Sequence, residues 1–161
     1  MIILRFLSLL ALLAAVGAGC ARQAAPSPAA APVAKHEHHP PHGGTPVVLG
    51  NELYHLELVL DDATGRLSAY VLDGEMENFV RIAAPAMEIT ATVGGQPHPL
   101  ALRAVANPAT GETIGDTSCF EVQADWLKTT PAFDAVLARI EVRGTAFTAV
   151  AFNFPAGNDR D

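Results

Sequence analysis

The segment HEHHPPHGG, residues 36–44, holds four of the six histidines of the chain. Neutral imidazole binds zinc, copper and nickel well, and the carboxylate of Glu37 can add an oxygen donor. The order of residues is not that of a zinc finger, and no cysteine pair accompanies it, so a closed structural site is not expected. The tract instead predicts an exchangeable transition-metal site, and the alternative is a solvated spacer. The predicted ligands are His36, His38, His39 and His42.

Two further candidate ligands lie in the strand predicted over Leu53–Asp61. His55 and Glu57 are two residues apart, and side chains at that spacing point to the same side of a sheet, about 6–7 Å apart. If the preceding segment pairs with this strand, His42 can join them in a His-Glu-His site. The alternative is that His55 is an outward polar residue opposite the apolar face of the strand.

Signals of catalysis are missing from the sequence. There is no GxSxG elbow, no HExxH motif, no phosphate-binding glycine loop and no Cys–His pair with supporting context. We therefore predict that the protein is not an enzyme. A thiolate at Cys119 can serve copper, but a single cysteine in a strand is usually a small packed apolar residue.

The elements that must position these residues are predicted to be strands. From Thr45 onward, apolar and polar residues alternate with period two, and turn residues interrupt the pattern. Roughly eight or nine strands at this spacing predict a single all-β domain, an antiparallel β-sandwich of immunoglobulin-like or similar type. The domain is expected over residues 45–155, with a frayed tail at 156–161. No segment predicts the long crossover helix that a parallel sheet requires.

Three local features of this domain are also predicted. A short strand is expected at Phe79–Ala83, and one helical turn is expected between Asp125 and Phe133, where Pro131 limits it. In the strand Val136–Arg143, alternation predicts that Val136, Ala138, Ile140 and Val142 form the core face.

The N-terminus has the features of an export signal over residues 1–19. A single charged residue, Arg5, precedes an apolar run from Phe6 to Val16, which is shorter than the about 20 residues needed to span a bilayer. Small residues at 17–19 before Cys20 resemble the bacterial lipobox, with Gly17 where Leu or Val is usual. The resemblance implies a lipid on Cys20, and the alternative is an ordinary secretory signal cut elsewhere.

Residues 20–44 are predicted to be a flexible, lipid-anchored, His-rich tether, because Ala, Pro and Ser dominate before the histidines. The residue after Cys20 is Ala21 and not aspartate. The resemblance to sorted lipoproteins then implies that the protein is anchored in the outer membrane and faces the periplasm. The net charge of −7 argues against nucleic-acid binding, which needs clustered Lys and Arg. The expected partners are the membrane, through the lipid on Cys20, and an efflux or envelope protein.

A longer resemblance runs from Pro41 to Ile82, roughly a quarter of the chain. The motifs PHGG, LYHLELVLD, GRLSAYVLDG and VRI resemble small exported His-rich bacterial lipoproteins and the N-terminal β-domain of some heavy-metal efflux adaptor proteins. The resemblance implies a periplasmic β-sandwich connected with transition metals. It does not imply pump bridging, because the sequence has no long coiled-coil hairpin and no lipoyl-like halves.

These observations favour a periplasm-facing lipoprotein that binds copper, zinc or nickel for buffering, sensing or hand-over, with a possible link to metal efflux. The alternative is a non-enzymatic module for envelope structure or protein interaction, in which the His tract is only a spacer. Such a module can bind a partner by strand addition at a sheet edge.

Overall fold

The computed structural model describes residues 39–159, which form an all-β domain. The predicted signal peptide, Cys20, most of the predicted tether, His36 and His38 lie outside the described residues. Residues Asp125–Thr129 form one 3-10 turn. In the described part, no helix is long and apolar enough to cross a membrane. The strands are Thr45–Leu49 (β1), Tyr54–Asp61 (β2), Arg66–Asp73 (β3), Ala86–Val93 (β4), Gln96–Ala104 (β5), Cys119–Gln123 (β6), Phe133–Val142 (β7) and Thr145–Phe154 (β8).

The eight strands form one antiparallel sheet in the order β1-β2-β3-β6-β5-β4-β7-β8, curled into a nearly closed barrel or sandwich. This confirms the predicted fold class. The hairpins β2–β3, β4–β5 and β7–β8 follow from turn residues in the sequence, whereas β6 inserts between β3 and β5 over a long connection. The insertion matters for the site, because it brings Cys119 beside Tyr70.

The two edge strands are drawn together by the segment that follows β8. The side chain of Asn158 accepts a hydrogen bond from the Val48 amide at 2.7 Å and donates one to the Val48 carbonyl at 3.1 Å. Gly157 pairs with Asn153 and is buried against Pro46, whose carbonyl oxygen lies only 2.4 Å from a Cβ placed on the glycine. The prediction of a frayed tail is therefore wrong for residues 156–158, because hydrogen bonds to β8 and to the backbone of β1 hold them.

The main core lies on the concave side of the sheet. At one end Phe133 stacks on Phe154 with ring centroids 5.2 Å apart, and Trp126 contacts Phe133 edge-on at 5.7 Å. Large buried side chains of this core include Leu49, Leu56, Leu58, Leu67, Met87, Ile89, Leu102, Phe120, Leu127 and Leu137.

Two local predictions differ from the structure. Phe79–Ala83 forms only isolated bridges and no strand. In β7, Ala135 and Leu137 are buried while Val136 is 41 % exposed, so the predicted core face is wrong in the first half of the strand and right for Ile140 and Val142. The alternation shifts by one beside Ala149, whose φ of 53° interrupts regular strand geometry on β8.

Candidate metal centre

A buried carboxylate organises the start of the domain. Glu57, on β2, is 0 % exposed. Its Oε1 accepts hydrogen bonds from the backbone N–H of His42 at 2.7 Å and of Gly44 at 2.9 Å. Its Oε2 lies 2.8 Å from Nδ1 of the His42 ring. Three donors thus satisfy a group whose burial would otherwise be costly.

These bonds hold residues 40–44 on the domain, so the ordered domain starts earlier than the predicted boundary at Thr45. The PHGG motif turns here, with a hydrogen bond from the Gly43 amide to the Pro40 carbonyl at 2.9 Å. Gly43 has a φ of 67°, and Gly44 passes so close to β2 that a Cβ would lie 2.5 Å from the Leu58 carbonyl oxygen. Glycine is therefore favoured at position 43 by the positive φ and at position 44 by the lack of space for a side chain.

Alanine substitutions at the two glycines are expected to destabilise the domain to different extents. Gly44→Ala is expected to lower the free energy of unfolding by about 2–3 kcal/mol, because the methyl group meets backbone that cannot move aside. Gly43→Ala is expected to cost about 1 kcal/mol, because its strain is only conformational and the space around it is open. Urea unfolding of both variants measures the difference. Equal losses would show that Gly44 is not sterically confined.

The ring of His42 is fixed on both its edge and its face. With the hydrogen of a neutral ring on Nδ1, facing the Glu57 carboxylate, Nε2 carries the lone pair on the opposite edge of the ring. The face of the ring stacks on Tyr70, with centroids 4.1 Å apart and planes 19° apart. The side chain is still 39 % exposed. Such a carboxylate–histidine pair is the arrangement that orients many metal-binding histidines.

The second histidine of the predicted trio has a different environment. His55 is 0 % exposed, so the interpretation of it as an outward, solvent-facing residue is wrong. Its Nδ1 lies 3.3 Å from the carbonyl oxygen of Asp73. Its cross-strand partner Leu72 and the nearby turn residue Met76 are also buried, although neither belongs to the main core. This side of β2 and β3 is therefore covered as well.

The structure brings some predicted ligands together and separates others. β1 pairs with β2, and His42 reaches Glu57 as the conditional prediction required. His39 is exposed and lies three residues before His42 in the sequence. Within residues 39–159, no three His, Cys, Asp or Glu side chains form a group that could hold a metal ion. Glu57 is better placed to orient His42 than to bind metal, since both its oxygens already accept hydrogen bonds.

A cavity of about 270 Å³ opens beside His42. Sequence reasoning did not identify it, because its walls come from β3, β6 and loops far apart in the chain. Of the residues that line it, only His42 was among the predicted metal ligands. Its lining includes His42, Tyr70, Phe79, Glu112, Ser118 and Cys119.

Two groups in this cavity have altered acidity. Burial raises the pKa of the Cys119 thiol to about 11, and the negative charge of Glu121 adds to the effect. Burial also raises the pKa of the Tyr70 hydroxyl, and the neighbouring Cys119 contributes. The two groups are therefore close enough to influence one another, and both are neutral at physiological pH.

The lining of the cavity includes a buried acid, Glu112. Glu112 accepts hydrogen bonds from the Ser118 amide at 2.8 Å, from the Ser118 hydroxyl at 2.6 Å and from the Thr110 hydroxyl at 2.6 Å. Although burial opposes ionisation, these hydrogen bonds and the charge of Arg81 leave the pKa of Glu112 lowered. Glu112 is thus a fixed negative charge that holds the loop before β6.

Comparison of the chain with protein-family models, with curated proteins and with solved structures found no match in any of the three.

Proposed function

We propose that this is an exported, lipid-anchored envelope protein that binds a transition-metal ion at His42, together with His36, His38 and His39. Copper, zinc and nickel are the candidate ions. The protein would face the periplasm and buffer, sense or hand over the ion. The resemblance to the N-terminal domain of heavy-metal efflux adaptors supports a place near metal efflux, without an adaptor's role.

The observation that carries this proposal is the bond between Glu57 and His42. The buried carboxylate holds the direction of an imidazole that remains accessible to solvent, and it favours the neutral form with its hydrogen on Nδ1. A lone flexible histidine would lose side-chain entropy on binding, whereas His42 has already been ordered. The remaining histidines lie within six residues of His42 in the sequence, so short stretches of chain suffice to bring them to the same ion.

The ligand set differs from the one that sequence spacing suggested. Glu57 acts in this proposal as the group that orients His42, because its oxygens are already engaged. His55 is fully buried, so an ion arriving from solvent meets His42 first. Neither residue is needed as a first contact.

The competing function, strand addition to a partner protein, has less support at the β1 edge. Val48 directs its amide and carbonyl toward the open edge, and both are bonded to Asn158. Pro46, which occupies the equivalent position two residues earlier, has no amide hydrogen to offer. A partner strand would have to displace the segment after β8 before pairing here.

Metal titration of the untagged full chain tests the proposal. Calorimetry with Cu(II), Zn(II) and Ni(II) is expected to detect binding that disappears when His36, His38, His39 and His42 are all changed to alanine. His98→Ala is the matched control, since His98 packs near Trp126 on another part of the sheet and should leave affinity unchanged. Equal affinity in the fourfold variant and the unaltered chain would refute the proposal.

Glu57→Gln gives a more specific prediction of the same model. A glutamine keeps the size of the side chain but offers one acceptor instead of two, so it holds the His42 ring less firmly. Loss of such an orienting group typically weakens metal binding by about 10–100-fold. The same titration, limited to variants that remain folded, measures this change. An unchanged affinity would show that Glu57 has no part in presenting His42.

A further inference from the structure

The strand register places three side chains with reactive groups in one row. Glu57 on β2 is directly opposite Tyr70 on β3, and Tyr70 is directly opposite Cys119 on β6. Directly opposite residues point to the same side of a sheet. The row therefore runs across three neighbouring strands, on the side away from the main core.

His42 lies over the middle of this row. Its ring is bonded to Glu57 at one end and stacked on Tyr70 in the centre. Both His42 and Cys119 line the 270 Å³ cavity, as does Tyr70, the side chain on which His42 stacks. The imidazole of His42 and the thiol of Cys119 thus line the same small, partly covered space.

We propose that this cavity binds Cu(I) between Nε2 of His42 and Sγ of Cys119. Cu(I) favours soft thiolate sulfur, accepts imidazole nitrogen and is satisfied by few ligands, so two protein donors can be sufficient. Binding forms one Cu–N and one Cu–S bond, and the thiol proton leaves to solvent. No electron is transferred, because the ion enters as Cu(I).

The rest of the cavity suits a cation. Its lining includes no lysine or arginine, and it includes the carboxylate of Glu112, which is paired with Arg81 at 3.9 Å just outside the lining. Tyr70 and Phe79 give aromatic walls, with ring centroids 6.0 Å apart. Hard divalent ions would gain little here, since they prefer several oxygen ligands and bound water.

This proposal deepens the proposed function, because both use His42 as a ligand. It adds the identity of one ion and a ligand, Cys119, that the His tract does not contain. The two proposals can be tested separately. Substitutions in the His tract should weaken the binding of divalent ions, and substitution of Cys119 should weaken the binding of Cu(I).

Competition with a chromophoric Cu(I) chelator under anaerobic conditions tests the site. All proteins carry Cys20→Ser, so that Cys119 is the only thiol of the chain. Cys119→Ser and His42→Gln are each expected to weaken Cu(I) binding by about 100-fold or more, because a two-ligand site has no replacement donor. His98→Gln is the matched control and is expected to leave Cu(I) affinity within about threefold, since His98 packs against Trp126 away from the cavity. The triple change of His36, His38 and His39 to alanine distinguishes the tract from the cavity as the Cu(I) site.

Ultraviolet absorption from a Cu(I)–thiolate bond should accompany binding and vanish in Cys119→Ser. Fluorescence of Trp126, the single tryptophan, verifies that each variant is folded. Unchanged Cu(I) affinity in folded Cys119→Ser or folded His42→Gln would overturn this inference. That result would leave the tract proposal standing, provided that the fourfold His variant still loses divalent ions. Loss of Cu(I) binding in the triple variant alone would instead assign the ion to the tract and overturn the cavity site.

Discussion

Glu57→Ala is expected to destabilise the domain by about 2–4 kcal/mol. The substitution removes a buried carboxylate together with three hydrogen bonds, and it leaves the amides of His42 and Gly44 without their acceptor. The half-exposed ring of His42 regains water, so the loss should fall below that of a fully buried ion pair. Urea unfolding followed by the fluorescence of Trp126 measures the change.

The matched control is Glu88→Ala, at an exposed position in β4, which is expected to cost less than about 0.5 kcal/mol. A double-mutant cycle with His42→Ala separates the ring contact from the two backbone contacts. We expect a coupling energy of about 1–2 kcal/mol between the two side chains. A Glu57→Ala loss no greater than the Glu88→Ala loss would show that the carboxylate does not anchor residues 40–44.

Alternation in β2 predicted correctly which side chains share a face. It did not predict that the face carrying His55 and Glu57 is covered, because periodicity gives the direction of a side chain and not what lies above it. An ionisable pair in an alternating strand is ordinarily assigned to solvent. Here the PHGG loop and the turn after β3 supply the cover, and both are non-local contacts.

The cavity illustrates the same limit in another way. Cys119 and Tyr70 are far apart in the sequence, and they meet only because β6 inserts between β3 and β5. A hairpin can be predicted from its turn residues, whereas the partner of a strand after a long loop cannot. That Tyr70 lies directly opposite Cys119 could therefore be known only from the order of strands in the sheet.

A local irregularity explains the error in β7. Sequence alternation is consistent with Val136 and Val142 on one face, yet the structure buries Ala135, Leu137, Ile140 and Val142. The shift coincides with the left-handed φ of Ala149 on the paired strand β8. Alanine gives no sequence signal for such a position, unlike glycine or asparagine, so the change of face was not foreseeable.

Cys119 is expected to react with iodoacetamide at least about tenfold more slowly than a cysteine in an unfolded chain at pH 8. A thiol of pKa about 11 has roughly 300-fold less thiolate at that pH than one of pKa about 8.5. The greater nucleophilicity of a more basic thiolate recovers only part of that factor, and the half-buried position slows attack further. In the Cys20→Ser chain, the labelling rate measured from pH 7 to pH 10 gives the result directly.

The shape of that pH profile separates acidity from shielding. A shielded thiol of ordinary pKa would react slowly but reach a plateau above pH 9, whereas the rate of Cys119 should keep rising about tenfold per pH unit through that range. The fold binds the thiol proton more tightly than the unfolded chain does, so the associated stability is present below about pH 9 and is lost as the pH rises toward 11. The same sample in denaturant is the control and should level off near pH 9. A plateau in the folded protein would mean that burial and the charge of Glu121 do not hold this proton, and that Cys119 is merely hidden.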